Sequence, residues 1–271
     1  MDERRTAEER RERKLPETMP VCPVRGSVIY PTMVMPIDAG RPISIRAIDE
    51  ARARDRVLLI VSQRDKEVET PRPSDLFEVG TACNILKMRK NPDGSVQVLV
   101  QAFARVRVRE WLDLGDHLEA RGEVLADEPG EPILVKALVR EVKDKFQALL
   151  KEGKYLAPEV AQFILNLEDP SQLADYVAFH MDFRLEDKQK VLETANVAER
   201  LRAVLVLLEA ELALIETQRR IQQQVKEEID RNQREYFLRE QMKAIQRELH
   251  GEEGEQEVEE FRRKLEALDL P

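Results

Sequence analysis

Residues 197–249 read VAERLRAVLVLLEAELALIETQRRIQQQVKEEIDRNQREYFLREQMKAIQREL, and no position between 171 and 250 is Gly or Pro. Those two residues most reliably end or kink a helix, so nothing in the run forces a stop. Asn196, followed three residues later by Glu199, marks the start as a capping-box-like pair, and Gly251 marks the expected end. Such a helix spans about 80 Å at roughly 1.5 Å per residue, several times the diameter of a small domain. It is therefore expected to leave the domain that starts it.

The apolar pattern divides this run into three parts. Leu201, Leu205, Leu208, Leu212 and Ile215 step by four and three, with Val204 and Leu207 widening the stripe, as in a helix docked on a globular body. From 216 to 235 only Ile221, Val225 and Ile229 are apolar, so this part covers a narrow seam and is expected to project into solvent or meet one partner helix. Tyr236, Phe237 and Leu238 then arrive together, followed by Met242, Ile245 and Leu249. An apolar face on a segment that has left its parent core expects a partner, so these six residues are the candidates for oligomerisation or coupling.

Working outward, four shorter helical patterns precede the long one: 132–150, closed by Gly153; 158–167; 171–181, started by Asp169 and Pro170; and 185–193. Helices this short are marginal alone. Residues 127–215 are therefore expected to form one bundle that includes the start of the long helix, with 216–250 projecting. Residues 15–126 have a different texture, with β-rich runs at 27–30, 34–37, 57–62, 79–89, 96–105 and 106–111. Asn91, Pro92, Asp93 and Gly94 supply a hairpin turn, and Ile43, Ile45, Ala47 and Ile48, with Pro42 in the first turn, predict a helix across the sheet. The expected class is α+β: a small β-rich subdomain with a curled or barrel-like sheet, a helical bundle, and one very long projecting C-terminal helix. At the ends, 1–14 predicts a disordered charged leader, and 251–271 an acidic hinge followed by a helix. Leu265, Leu268 and Leu270 have nothing left to pack against, as in a truncated chain.

Composition bounds the function. At 271 residues the chain suits two modest domains plus an extended element; 36% of residues are charged and the net charge is −9, which argues against a general nucleic-acid binder. Neither a run of eighteen apolar residues nor an export signal is present, so a cytoplasmic protein with no membrane partner is expected. Cys22 and Cys83 lie in apolar strand-like sequence and read as buried free thiols. There is no Gly-x-x-x-x-Gly-Lys-Ser/Thr loop to cradle nucleotide phosphates. His117, His180 and His250 have no companions at metal-ligand spacing, and no acid–base pair stands out among the carboxylates. A non-catalytic chain without cofactor or metal is expected.

Recognition remains. Tyr30, Pro31, Met33, Met35 and Pro36 combine an interrupted edge strand with adaptable methionines, with Met88 placed nearby, and read either as a promiscuous apolar binding site or as ordinary core and turn. Arg105, Arg107 and Arg109 alternate on one strand face, as an anion-binding patch or as the solvated face of a half-buried strand.

A resemblance sharpens this reading. Residues 232–249, NQREYFLREQMKAIQREL, closely resemble the helix that precedes the ATPase module of bacterial Lon proteases, and the likeness extends to 20–46, 75–80 and 168–173. It implies a PUA-like sheet for 15–126. It further implies a substrate-recognition and assembly region that captures unfolded or damaged proteins, with Arg41 joining the Tyr30 to Pro36 set and Met88. The ATP and Mg sites and the serine–lysine peptidase centre would lie in modules absent from this sequence, and homo-hexameric assembly belongs to the full family protein. The competing expectations are a nucleic-acid-binding PUA-like module, DNA included, and a standalone coiled-coil scaffold.

Overall fold

A computed structural model of the chain describes the backbone of residues 15–153 and 156–266, and their side chains except 249–257, 265 and 266. The expected leader at 1–14 and the side chains of Leu249, Leu265, Leu268 and Leu270 lie outside the described residues.

Six strands form one mixed sheet: β1 (Met19–Val24), β2 (Val34–Ala39), β3 (Val57–Ser62), β4 (Val79–Lys90), β5 (Val96–Asp113) and β6 (Leu118–Val124). Their order is β2-β5-β4-β3-β1-β6, and β5 also pairs with β6. The length of β5 makes this closure, because residues 96–101 pair with β2 while 106–113 pair with β6. Strands β1, β3, β4, β5 and β6 thus close a ring, and β2 is left as an edge strand on β5 alone. Two expected runs, 96–105 and 106–111, are one strand. The expected strand at 27–30 is loop, and the strand at this end of the chain is β1, whose Pro20 and Pro23 disguise it in the sequence. Between β4 and β5 the turn is as expected, with Gly94 at φ 86°.

Alternation along β3 separates two apolar clusters. Leu58 and Ile60 face one, which packs against helix α1 (Pro42–Ala53) through Ala47, Ile48 and Ala51. Leu59 and Val61 face the other, shared with Met19, Val21, Val106 and Leu118.

The remaining helices are α2 (Pro132–Lys151), α3 (Pro158–Asn166), α4 (Pro170–His180), α5 (Leu185–Glu193) and α6 (Val197–Glu266). Helices α1 to α4 each open on Pro, whose missing N–H costs nothing in the first turn. Asp169 caps α4 by accepting from the backbone N–H of Ser171 and Gln172. Asn196 Oδ1 accepts from Ala198 and Glu199 at 3.1 Å each and starts α6 as its sequence suggests. Leu201, Val204 and Leu208 are fully buried, as are Phe146, Leu149, Ile164, Leu173 and Val177 of the short helices.

The chain divides into two compact units at Leu212 and Ala213. The first holds the sheet and the helices up to the docked part of α6. The described residues of the second are the rest of α6, and here one expectation is corrected: the helix neither stops at Gly251 nor hinges over the acidic stretch behind it, but runs on to Glu266. Gly in a helix interior costs only about 1 kcal/mol relative to Ala, whereas Pro breaks the backbone pattern outright, and no Pro occurs between Pro170 and Pro271.

Candidate functional site

The chain enters β2 through a strained turn. Pro31 is followed by Thr32 at φ 71°, a conformation β-branched residues rarely adopt. Thr32 N donates to Ala102 O at 2.9 Å and Ala102 N donates to Met33 O at 2.8 Å, so two residues of this strand oppose one of β5 in a β-bulge. The Thr32 hydroxyl is buried without a partner among the described residues, adding a second local cost. This turn points Tyr30, Pro31 and Met33 inward. Tyr30 is fully buried, donating its hydroxyl to Lys188 O in α5 at 2.8 Å, with burial raising its pKa. Met33 is 4% exposed. These three residues are core positions and offer no binding surface.

Beyond the bulge, Met35 and Ile37 are half-buried and line a groove of about 390 Å³ that follows β2. Its other walls include Cys22, Pro23 and Val24 of β1, Ile29 of the connecting loop, and Arg41 and Ser44 at the start of α1. Arg41 is pinned: its guanidinium donates to Pro23 O at 2.6 Å and to the side-chain oxygen of buried Gln63. Burial, reinforced by the neighbouring Arg25, lowers its pKa from the ordinary value. The Cys22 thiol is pushed up to about 11 by burial, which makes it an apolar wall rather than a nucleophile. Of the seven residues singled out in the sequence, Met35, Pro36 and Arg41 meet in this groove. Met88, on β4, joins the apolar cluster behind Met35 and Ile37 without lining it. Sequence reasoning missed Ile29, Ile37 and Pro23; the two-residue step from Met35 to Ile37 was the available signal. A larger depression of about 580 Å³ lies over Leu15, Asn84, Leu86 and Phe103 and contains none of the sequence candidates.

The arginine stripe of β5 is also corrected. Arg105 is 4% exposed, neither solvated nor open to a ligand: it pairs with Asp175 of α4 and Asp127, and donates to Leu192 O of α5 at 3.2 Å. Arg200 of α6, fully buried, donates to Asp127 at 2.6 Å, to Ser171 Oγ at 2.7 Å and to Thr194 O at 2.8 Å. Two arginines and two aspartates thus tie the sheet to the helices. A register shift between Val108 and Glu110 ends the alternation, and exposed Arg109 pairs with Glu123.

On the second unit, Tyr236, Phe237, Leu238, Met242 and Ile245 are 54–67% exposed, and Ile221, Val225 and Ile229 are 50–53% exposed. Among the described residues no group of three or more His, Cys, Asp or Glu is placed to hold a metal ion, and no helix is long and apolar enough to cross a membrane.

A closed five-strand ring with an appended edge strand, bound through buried charge pairs to a helical bundle, is the architecture that carries this groove. The chain belongs to the family described as the ATP-dependent protease La (LON) substrate-binding domain, whose model matches residues 18–210. It is 38% identical to Lon protease of Brevibacillus choshinensis over 261 residues, covering 96% of this chain and 34% of that protein. It is 39% identical to Lon protease of Escherichia coli K12 over 254 residues, covering 93% and 32%. The chain therefore spans about a third of the length of these relatives. Among solved structures, the N-terminal domain of Mycobacterium avium complex Lon protease is similar with a TM-score of 0.59 and 26% identity, over 71% of this chain and 98% of that one.

Proposed function

We propose that this chain is a non-catalytic client-binding region of a Lon-type ATP-dependent protease, and that the β2 groove holds unfolded polypeptide. The observation that carries the reading is the groove itself: Met35, Ile37 and Ile29 give it an adaptable apolar lining, at a place where a substrate-binding family model matches the chain. The long helix would link captured client to ATPase and peptidase modules like those implied by the resemblance, with copies of the chain brought together in a homo-hexamer in the cytoplasm. Nucleotide and Mg would be handled in those modules.

The test replaces Met35 and Ile37 by Asp, singly and together. Both side chains are half-buried, so the variants are expected to fold while binding of reduced, carboxymethylated lactalbumin falls at least tenfold. Met33→Asp serves as the contrast, since a charge in a fully enclosed position is expected to unfold the domain. Unchanged lactalbumin binding in folded Met35 and Ile37 variants would reject the groove. Nucleic acid is the competing partner; its affinity falls steeply with ionic strength through counterion release, whereas apolar capture is expected to hold between low and high salt.

A further inference from the structure

The edge of β2 is unpaired, and its hydrogen-bonding groups can be assigned from the ladder. The bulge fixes the register, with Ala102 N donating to Met33 O and Val34 opposite Gln101. In antiparallel pairing, bonded and non-bonded pairs alternate. Met35, Ile37 and Ala39 therefore spend their backbone groups on β5, while Val34, Pro36 and Asp38 turn theirs to the free edge. No partner meets those groups among the described residues, and all three residues are exposed. The groove touches every residue from Met35 to Ala39. Side chains alternate between faces, so a cavity lined by five consecutive residues follows the strand's edge and not one face.

We infer that β2 captures its client by strand addition: an extended polypeptide pairs with the outward N–H and C=O of Val34 and Asp38 and donates to Pro36 O, while alternate client side chains enter the groove beside Met35 and Ile37. This rests on the client-binding reading above and names its mode. Backbone pairing reads no sequence, and alternate pockets read only apolar character, so the partner class is extended, apolar, unstructured chain. Val34 and Asp38 lie about 13 Å apart at roughly 3.3 Å per residue, so a client of five or six residues spans the edge. Pro36 sits at the centre of that edge without an N–H. It costs no bond to β5, and it removes one donor from any added strand, which keeps the edge from pairing permanently with another chain.

The test uses the full chain, a ten-residue apolar peptide, and the same peptide N-methylated at alternate residues. Amide hydrogen exchange is expected to slow at Val34 and Asp38 when the peptide binds, and the peptide methylated in the pairing register is expected to lose binding. Pro36→Val supplies the missing donor and is expected to tighten binding about fivefold, the value of one net hydrogen bond. Val34→Pro removes a donor at a position where the ladder to β5 needs none, and is expected to weaken it by a similar factor. Peptide binding that is insensitive to N-methylation, Pro36→Val and Val34→Pro would overturn strand addition while leaving groove capture standing. No binding of peptide or unfolded protein to the wild-type chain would overturn both. If Val34→Pro fails to fold, the methylated peptide and Pro36→Val, a change toward strand propensity, decide for or against strand addition by themselves.

Discussion

Arg105, Asp127, Asp175 and Arg200 show what a single sequence conceals at the residue scale. Their separation along the chain leaves no spacing rule by which to pair them, and alternation on β5 put Arg105 in solvent; only the helices packed over that end of the strand bury it. Burial pushes the Asp175 carboxyl up. Burial acts the same way on Asp127, but the Arg200 hydrogen bond and the charges of both arginines outweigh it and hold that group below its ordinary value. Removing one partner of such a set leaves buried charge uncompensated, so Arg200→Ala is expected to cost about 3–5 kcal/mol in urea unfolding. Arg200→Lys is expected to recover less than half, because an ammonium lacks the planar fork that reaches Asp127, Ser171 and Thr194 together. Glu119 on β6 supplies a pH test. Burial tends to raise its carboxyl, but Arg54 at 2.8 Å and His117 at 3.2 Å hold it below the ordinary value. A carboxylate depressed in the fold contributes stability that is complete above its unfolded pKa, about 4.3, and lost as pH falls through the folded value. The melting temperature is expected to fall between about pH 5 and pH 3, and Glu119→Gln to start lower at neutral pH and fall less over that interval.

At the scale of elements, the long helix was the most legible feature and its end the least. Absence of Gly and Pro, the Asn196 cap and the Leu201, Leu208 stripe are local signals, and local signals place helices well. Gly251 misled because glycine disfavours a helix without forbidding one. For β1, Pro20 and Pro23 hid a strand. In the edge region the type of residue was readable but its depth was not: Met33 and Met35 look alike in sequence and share a strand face, yet Met33 is buried while Met35 is half-buried on the groove. The apolar face of α6 has its own test. Replacing Tyr236 and Phe237 by Ser removes about 3–6 kcal/mol of burial if both rings are covered in an assembly, while the docked part of α6 is untouched. The double variant is expected to melt like wild type yet lose concentration-dependent self-association in sedimentation. Equal association by both proteins would assign that face no role in assembly.

On the scale of the molecule, one unit bears the groove and the other is a single helix with its apolar residues exposed. That division suits the proposed division of labour, in which one part binds client along β2 and the other couples it onward. Backbone amide chemical shifts of the labelled chain, titrated with carboxymethylated lactalbumin, locate that binding residue by residue. Capture in the groove predicts shifts confined to residues 22–29 and 34–44, with the depression over Leu15, Leu86 and Phe103 unmoved. Shifts centred on that depression, or on α2 and α3, would contradict it.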